Sequence, residues 1–419
     1  MHPFPFLFAA SLLGVAASAT PENRELIQRS DALTVPVASD ADSAMGVRLL
    51  SGADGETYVS WVERHGDESR LRFSQLERAF TWSAPKTIAT GSDWFVNWAD
   101  FPVLASLADG TLAATWLQNS GRTGTSGYGA RISFSKDGGD AWSEPVALHE
   151  DSSGPEYGFV SLAALGPESF GAVWLDSRNM QSGGHGEDNG GHGTGEMALF
   201  FRRFAADGTP GPELLLDDRT CECCSTAAVV DGSGALQVAY RNRDAEEVRD
   251  MFLITLGGTL GFDRRATITD NWKFPACPVN GPSLAAHGSE LSMSWFTAAG
   301  GKTAVKVATS RDGGASFGFP TQVDLGSPLG RALACYSATG ELFVAWLELP
   351  SAGSAGDARW LLSQVGADAK PRLLAEVEGS RTSGFASLVK APGGGLLFAW
   401  TTRAGGVASQ TGVATSRIQ

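Results

Sequence analysis

One phrase recurs seven times along the 419-residue chain: an apolar strand of the Ser-Leu-Ala-Ala kind, a turn with Gly, Asp or Ser, and an alternating strand ending in an aromatic residue. The copies end at Trp61, Trp116, Trp174, Tyr240, Trp295, Trp346 and Trp400. Phe101 to Trp116 and Pro282 to Trp295 are typical, and their period-two alternation reads as a hairpin. Each aromatic is followed by a loop, then by a third strand such as Ala130 to Ser135 or Thr303 to Thr309, then by a fourth such as Trp142 to Leu148 or Pro320 to Leu325. Four strands restated at near-constant spacing predict an all-β fold, a β-propeller of four-stranded blades, seven of them counted from the repeats. Two β-sandwiches also carry regular turn signals, but nothing in a sandwich requires seven copies of one phrase.

The last repeat, from about Gly384 to Gln419, has room for three strands, and Ala32 to Val37 is a strand with no partner at the other end of the chain. The N-terminal strand is therefore expected to complete the final blade and close the ring, leaving no free sheet edge. Residues 1–19 read as a signal peptide, an apolar run ending in a small-residue Ala-Ser-Ala site, with a retained anchor as the alternative. Residues 20–30 read as a linker and 31–419 as a single propeller, in a secreted or periplasmic, monomeric protein with no membrane span after cleavage. A formal net charge of −14 argues against nucleic acid or an anionic membrane as partner and leaves carbohydrate or another small ligand open.

Two turns between third and fourth strands share a second pattern. Ser135, Asp137, Gly139 and Trp142, and again Ser310, Asp312, Gly314 and Phe317, fit S-x-D-x-G-x-x-W/F. In such a turn the carboxylate accepts the turn's own N–H groups, glycine supplies positive φ, and the aromatic tucks between strands, a structural role. These two Asp boxes resemble those of the sialidase, or BNR-repeat, superfamily. The resemblance implies a propeller, six-bladed as in sialidases being the alternative to seven. It also implies carbohydrate binding with glycoside hydrolysis as its enzymatic form, through arginines that clasp a carboxylate, a Tyr–Glu nucleophile and an Asp acid. The family's Phe-Arg-Ile-Pro segment does not occur here.

The loops leading into each blade and those joining second to third strands share one rim. The unusual segments fall there, on blades two to five: Asp93 to Asp100, Glu156 and Tyr157, Asp218 to Cys224, Asp270 to Gly281, Asp176 to Glu196 and Arg241 to Asp250. Of the 12 tryptophans only Trp94, Trp98 and Trp272 lie in loops, either capping the channel or offering faces for a sugar. Arg178, Arg241, Arg243, Arg249 and Arg331 suit bidentate carboxylate recognition, internal salt bridges being the other reading. Asn280 joins them as a candidate binding residue. Asp100, Glu156 and Asp250 are the candidate catalytic carboxylates, with Glu222 also within reach of the rim.

Cys221, Cys223, Cys224 and Cys277 converge from neighbouring blades, whereas Cys335 reads as a small buried hydrophobe. In a secreted chain a disulfide from Cys223 or Cys224 to Cys277 is the first expectation. The competing one is a copper or zinc site, with His185, His192 and Met197 nearby. The sequence thus points to a sialidase-like propeller binding, and as an enzyme hydrolysing, a carbohydrate at the rim of blades two to five. The alternative is a non-enzymatic metal-binding or interaction protein using the cysteines.

Overall fold

The computed structural model describes residues 30–121, 127–180, 195–257, 262–350, 357–366, 370–379, 381–403 and 411–419. The expected leader and most of the linker lie outside them, as do His185 and His192. The described chain forms seven separate four-stranded antiparallel sheets. Blades one to six each use four consecutive strands, and their innermost strands are Ser43–Ser51, Val103–Ser106, Tyr157–Ala164, Ala227–Val230, Ser283–His287 and Pro328–Tyr336. The seventh is built from Ser387–Lys390, Leu396–Arg403 and Thr411–Ile418, with Ser30–Leu33 as its outer strand. Ser30 pairs with Ile418 and Leu33 with Thr415, so the two ends of the chain share one sheet. The seam with blade one is stitched by the Trp82 indole, which donates to Thr415 Oγ1 (2.9 Å), while that hydroxyl donates to the Leu33 carbonyl (2.8 Å).

The repeat aromatics all stand in second strands, where both faces pack against neighbouring blades. Trp61, Trp174 and Trp346 are completely buried and Tyr240 nearly so, in separate apolar clusters between blades. Truncating one such indole to alanine costs about 3–5 kcal/mol. In three blades an acid stands two residues on, where the period of a strand returns it to the same face. The indole N–H of Trp61 donates to Glu63 (2.9 Å), of Trp174 to Asp176 (2.9 Å) and of Trp346 to Glu348 (2.5 Å). These buried acids also bind the rim: Glu63 accepts from Ala38 N–H, and Glu348 from Leu325 and Ser327 N–H. The repeat therefore fixes both the core and the loops above it.

On the opposite rim the Asp boxes close their turns as expected. Asp137 accepts from the Ser135 hydroxyl and from the N–H groups of Asp140 and Ala141, and the Ser135 hydroxyl accepts from Gly139 N–H. Asp312 accepts from Ser310 and from the hydroxyl and N–H of Ser316. Gly139 has φ +87°, and a Cβ there would run into the Phe73 ring of the preceding blade. Trp142 meets the same Phe73 edge-on, so this box also joins blade two to blade one.

Candidate functional site at the axial mouth

The inner strands surround a channel of about 560 Å³ lined by all seven blades. At its mouth three inner strands are irregular. Register shifts interrupt blade one between Met45 and Arg48, blade three between Gly158 and Ser161, and blade six between Gly330 and Leu333. The shifts carry left-handed residues: Gly46 in blade one, but Phe159 (φ 52°) in blade three and Arg331 (φ 54°) in blade six. A side-chain-bearing residue held there costs of order 1–3 kcal/mol, and bulges of this kind re-aim side chains beside functional sites.

What the bulges present is two guanidinium groups on an aromatic wall. Arg48 lines the channel, lies 4.2 Å over the Phe101 ring and donates to the Ala386 carbonyl (2.8 Å). Burial pulls its pKa down to about 10, and among the described residues no carboxylate opposes this. Arg331, likewise lowered to about 10 by burial, lies over Trp98 (5.0 Å) and Phe385 (5.5 Å) and donates to the Ser383 hydroxyl and the Gly384 carbonyl. Phe385 stacks on Trp98 and tilts against Phe101, so one aromatic group joins the two arginines.

Beside this wall stands a carboxyl cluster. Asn97 caps the turn before it, accepting the Ala99 and Asp100 N–H groups, and Asp100 Oδ1 accepts from Phe159 N–H at the blade-three bulge (2.8 Å). Asp100 is 3% exposed. Burial raises its pKa to about 7, against the Phe159 and Tyr128 hydrogen bonds, and Glu156 pushes it the same way. Tyr128, also buried, bridges to Glu156 along the backbone, and its pKa is raised by burial and by the charges of Asp100 and Glu156. Thus the charges of two of the three expected catalytic carboxylates, Asp100 and Glu156, both bear on one tyrosine.

The other candidates are placed differently. Asp250 accepts the N–H groups of Asp270, Asn271 and Trp272 and holds that loop. Arg178 is bidentate on Asp176 and also meets Glu213 (2.8 Å). Arg243 is held by Glu247 and Glu222, and Arg249 by Glu222, Glu247 and the Phe274 carbonyl. Arg241, 2% exposed, donates to the Asn280, Arg249 and Phe296 carbonyls and lies over Trp272 (4.9 Å). Each of the four is engaged by the protein itself, the internal reading of that arginine set. Trp94 is stacked on Trp116 in a core cluster and Trp272 on Phe274, both buried, so of the loop tryptophans Trp98 alone stands at the mouth. Asn280 accepts from Arg331 N–H (2.7 Å) and so supports the blade-six bulge. Sequence reading missed Arg48, Tyr128 and Phe385. The available signal was an arginine inside an otherwise apolar inner strand.

The thiols do converge, without a disulfide among them. None of the five cysteines forms a disulfide, so the expected staple to Cys277 is not formed in this structure. The sulfurs of Cys221, Cys223 and Cys224 lie within 4.8 Å of one another, and the Cys277 thiol hydrogen-bonds to that of Cys223. Burial would raise the Cys221 thiol, yet hydrogen bonds from Cys223 and Cys224 and the charges of Arg249 and Arg241 hold it well below the ordinary value. Such a group could hold a soft metal ion. Met197 is a buried core residue, and Cys335 is buried in the innermost strand of blade six.

No protein-family model and no curated protein matches the chain. Among solved structures, a Dyadobacter fermentans protein of unknown function matches with a TM-score of 0.52 at 14% identity, covering 93% of this chain and 99% of that one. In fold, the chain is a β-propeller of four-stranded blades. An intramolecular trans-sialidase of Ruminococcus gnavus matches at 10% identity and TM-score 0.48, covering 76% of this chain and 94% of its own. An α-L-arabinofuranosidase of Fusarium graminearum matches at 14% and 0.48, covering 93% and 97%. The propeller has seven blades, and among its described residues no helix is long and apolar enough to cross a membrane.

Proposed function

We propose that this protein acts outside the cytoplasm, secreted or periplasmic, and binds a small carboxylate-bearing carbohydrate at the axial mouth. The observation that carries this is Arg48, a half-buried cation that lines the channel from a bulged strand, in a chain of net charge −14, with no carboxylate against it among the described residues. Taking a guanidinium out of water costs several kcal/mol unless an anion compensates it, and a planar carboxylate answers its fork of donors. Trp98, Phe101 and Phe385 supply the apolar faces on which a sugar ring stacks.

Hydrolysis is the reaction that the neighbouring groups suit. Asp100, with a pKa of about 7, holds its proton at mildly acidic pH and can give it to a leaving glycosidic oxygen. Glu156 and Tyr128 stand beside it as the base or nucleophile that such a displacement needs. A panel of fluorogenic glycosides tests this directly. An acidic glycoside should be turned over and its neutral counterparts should not, and Asp100→Asn should lower the rate roughly 100-fold or more. Turnover of no member ends the hydrolase reading, and equal turnover by Asp100→Asn removes Asp100 from it.

A further inference from the structure

The thiol cluster stands on the loops leading into blades four and five, with Cys223 near enough to Tyr128 for its charge to bear on it. Cys221 and Cys224 are buried, with sulfurs 3.2 Å apart, while Cys223 and Cys277 are half-buried, so the group opens to the rim. Thiolates about 2.3 Å from a tetrahedral ion stand about 3.8 Å apart; the sulfurs of Cys221, Cys223 and Cys224 lie within 4.8 Å of one another, and the Cys277 thiol joins them through its hydrogen bond to Cys223. The surroundings also favour thiolate. Arg249, 1% exposed, donates to Cys221 Sγ (3.1 Å) and is itself fixed by Glu222 (3.0 Å), Glu247 (2.9 Å) and the Phe274 carbonyl (2.7 Å).

Both loops are anchored before any ion arrives. Cys221 N–H donates to the Arg241 carbonyl (3.0 Å), and the Arg241 side chain holds the Asn280 carbonyl three residues after Cys277. One arginine thus ties together the two segments that carry the four sulfurs. Outer groups that orient ligands in this way are what make a site selective and tight.

We propose that Cys221, Cys223, Cys224 and Cys277 form a thiolate centre for one soft closed-shell cation, Zn(II) or Cu(I). Each thiol that becomes a ligand loses its proton to solvent, and no change in oxidation state is involved. Zn(II) takes all four sulfurs, and Cu(I) is satisfied by two or three. The proposal does not rest on the carbohydrate reading: metal uptake and carboxylate binding are measured separately.

The test uses the full chain, reduced anaerobically, titrated with Zn(II) and separately with Cu(I) against a competing chelator. Uptake of one ion per chain is expected, with affinity reduced roughly 100-fold or more in Cys223→Ser and Cys277→Ser. Cys335→Ser, in the innermost strand of blade six, should bind as the parent does. The half-buried pair is chosen so that the variants fold, which a thermal melt checks, and the preferred ion decides between zinc and copper. Uptake of neither cation, or equal uptake by both serine variants, overturns the proposal. So do two disulfides within the set in the exported protein.

Discussion

Arg241→Met is expected to lower the stability of the chain by about 3–5 kcal/mol, read as a shift of the urea midpoint. Its guanidinium is 2% exposed and makes four hydrogen bonds, two to the Asn280 carbonyl and one each to those of Arg249 and Phe296. Methionine fills a similar volume and lies equally well against Trp272, so the change removes donors and leaves packing nearly intact. Three buried carbonyls are then left unsatisfied, each costing about 1–3 kcal/mol. Those carbonyls belong to the second-to-third-strand loop of blade four, the loop leading into blade five, and the second strand of blade five, so the loss falls on the rim. Arg203→Met, at an exposed position, should change stability by less than about 0.5 kcal/mol. A midpoint for Arg241→Met that matches the Arg203→Met control would contradict the role assigned to it.

Asp100→Asn is expected to remove a pH dependence on the order of 3 kcal/mol. The folded-state pKa of Asp100, about 7, lies above its ordinary value of 3.8 because burial disfavours the charged form. The folded chain therefore binds its proton more tightly than the unfolded chain. Stability from this group is complete below about pH 4, falls as pH rises toward 7, and is gone above it. Asparagine keeps the acceptor for Phe159 N–H and cannot ionise, so the variant's stability should stay level across that window, and at pH 8 it should exceed the parent's. Denaturant melts at pH 5 and pH 8 for both proteins check this. Parallel pH profiles would show that Asp100 is not the group that titrates. If Asp100 is also the acid in catalysis, turnover should fall above about pH 7 in the same protein.

The repeat made the architecture legible because its period is set by burial. Trp61, Trp116, Trp174, Tyr240, Trp295, Trp346 and Trp400 occupy the same position in seven second strands. The closing strand was legible for the same reason, since a three-stranded repeat at one end and a lone strand at the other fit a ring. The Asp boxes were legible because their hydrogen bonds are local, made within five residues.

The mouth was less so. Asp100 and Glu156 stood out as carboxylates in loops, but Tyr128 comes from a third strand and nothing in its local pattern separates it from a core aromatic. Arg48 lines the channel and Arg331 meets Trp98 and Phe385 from strands bulged at Gly46 and at Arg331 itself, and a register shift leaves no mark in alternating sequence. The arginines of blades three and four carried two readings, carboxylate recognition and internal salt bridges. Arg241 to Asp250 alternates in sign, and the structure resolves that alternation into contacts of Arg243 and Arg249 with Glu222 and Glu247.

The central claim is that the axial mouth holds a carboxylate through Arg48. Calorimetric titration of the full chain with N-acetylneuraminic acid and glucuronic acid, each beside its methyl ester, tests it most directly when run on the parent and on Arg48→Met. The account predicts that at least one acid binds the parent, that its ester does not, and that Arg48→Met binds the acid roughly 10- to 100-fold more weakly. Acid and ester binding alike, no binding of either acid, or an unchanged affinity in Arg48→Met would contradict it.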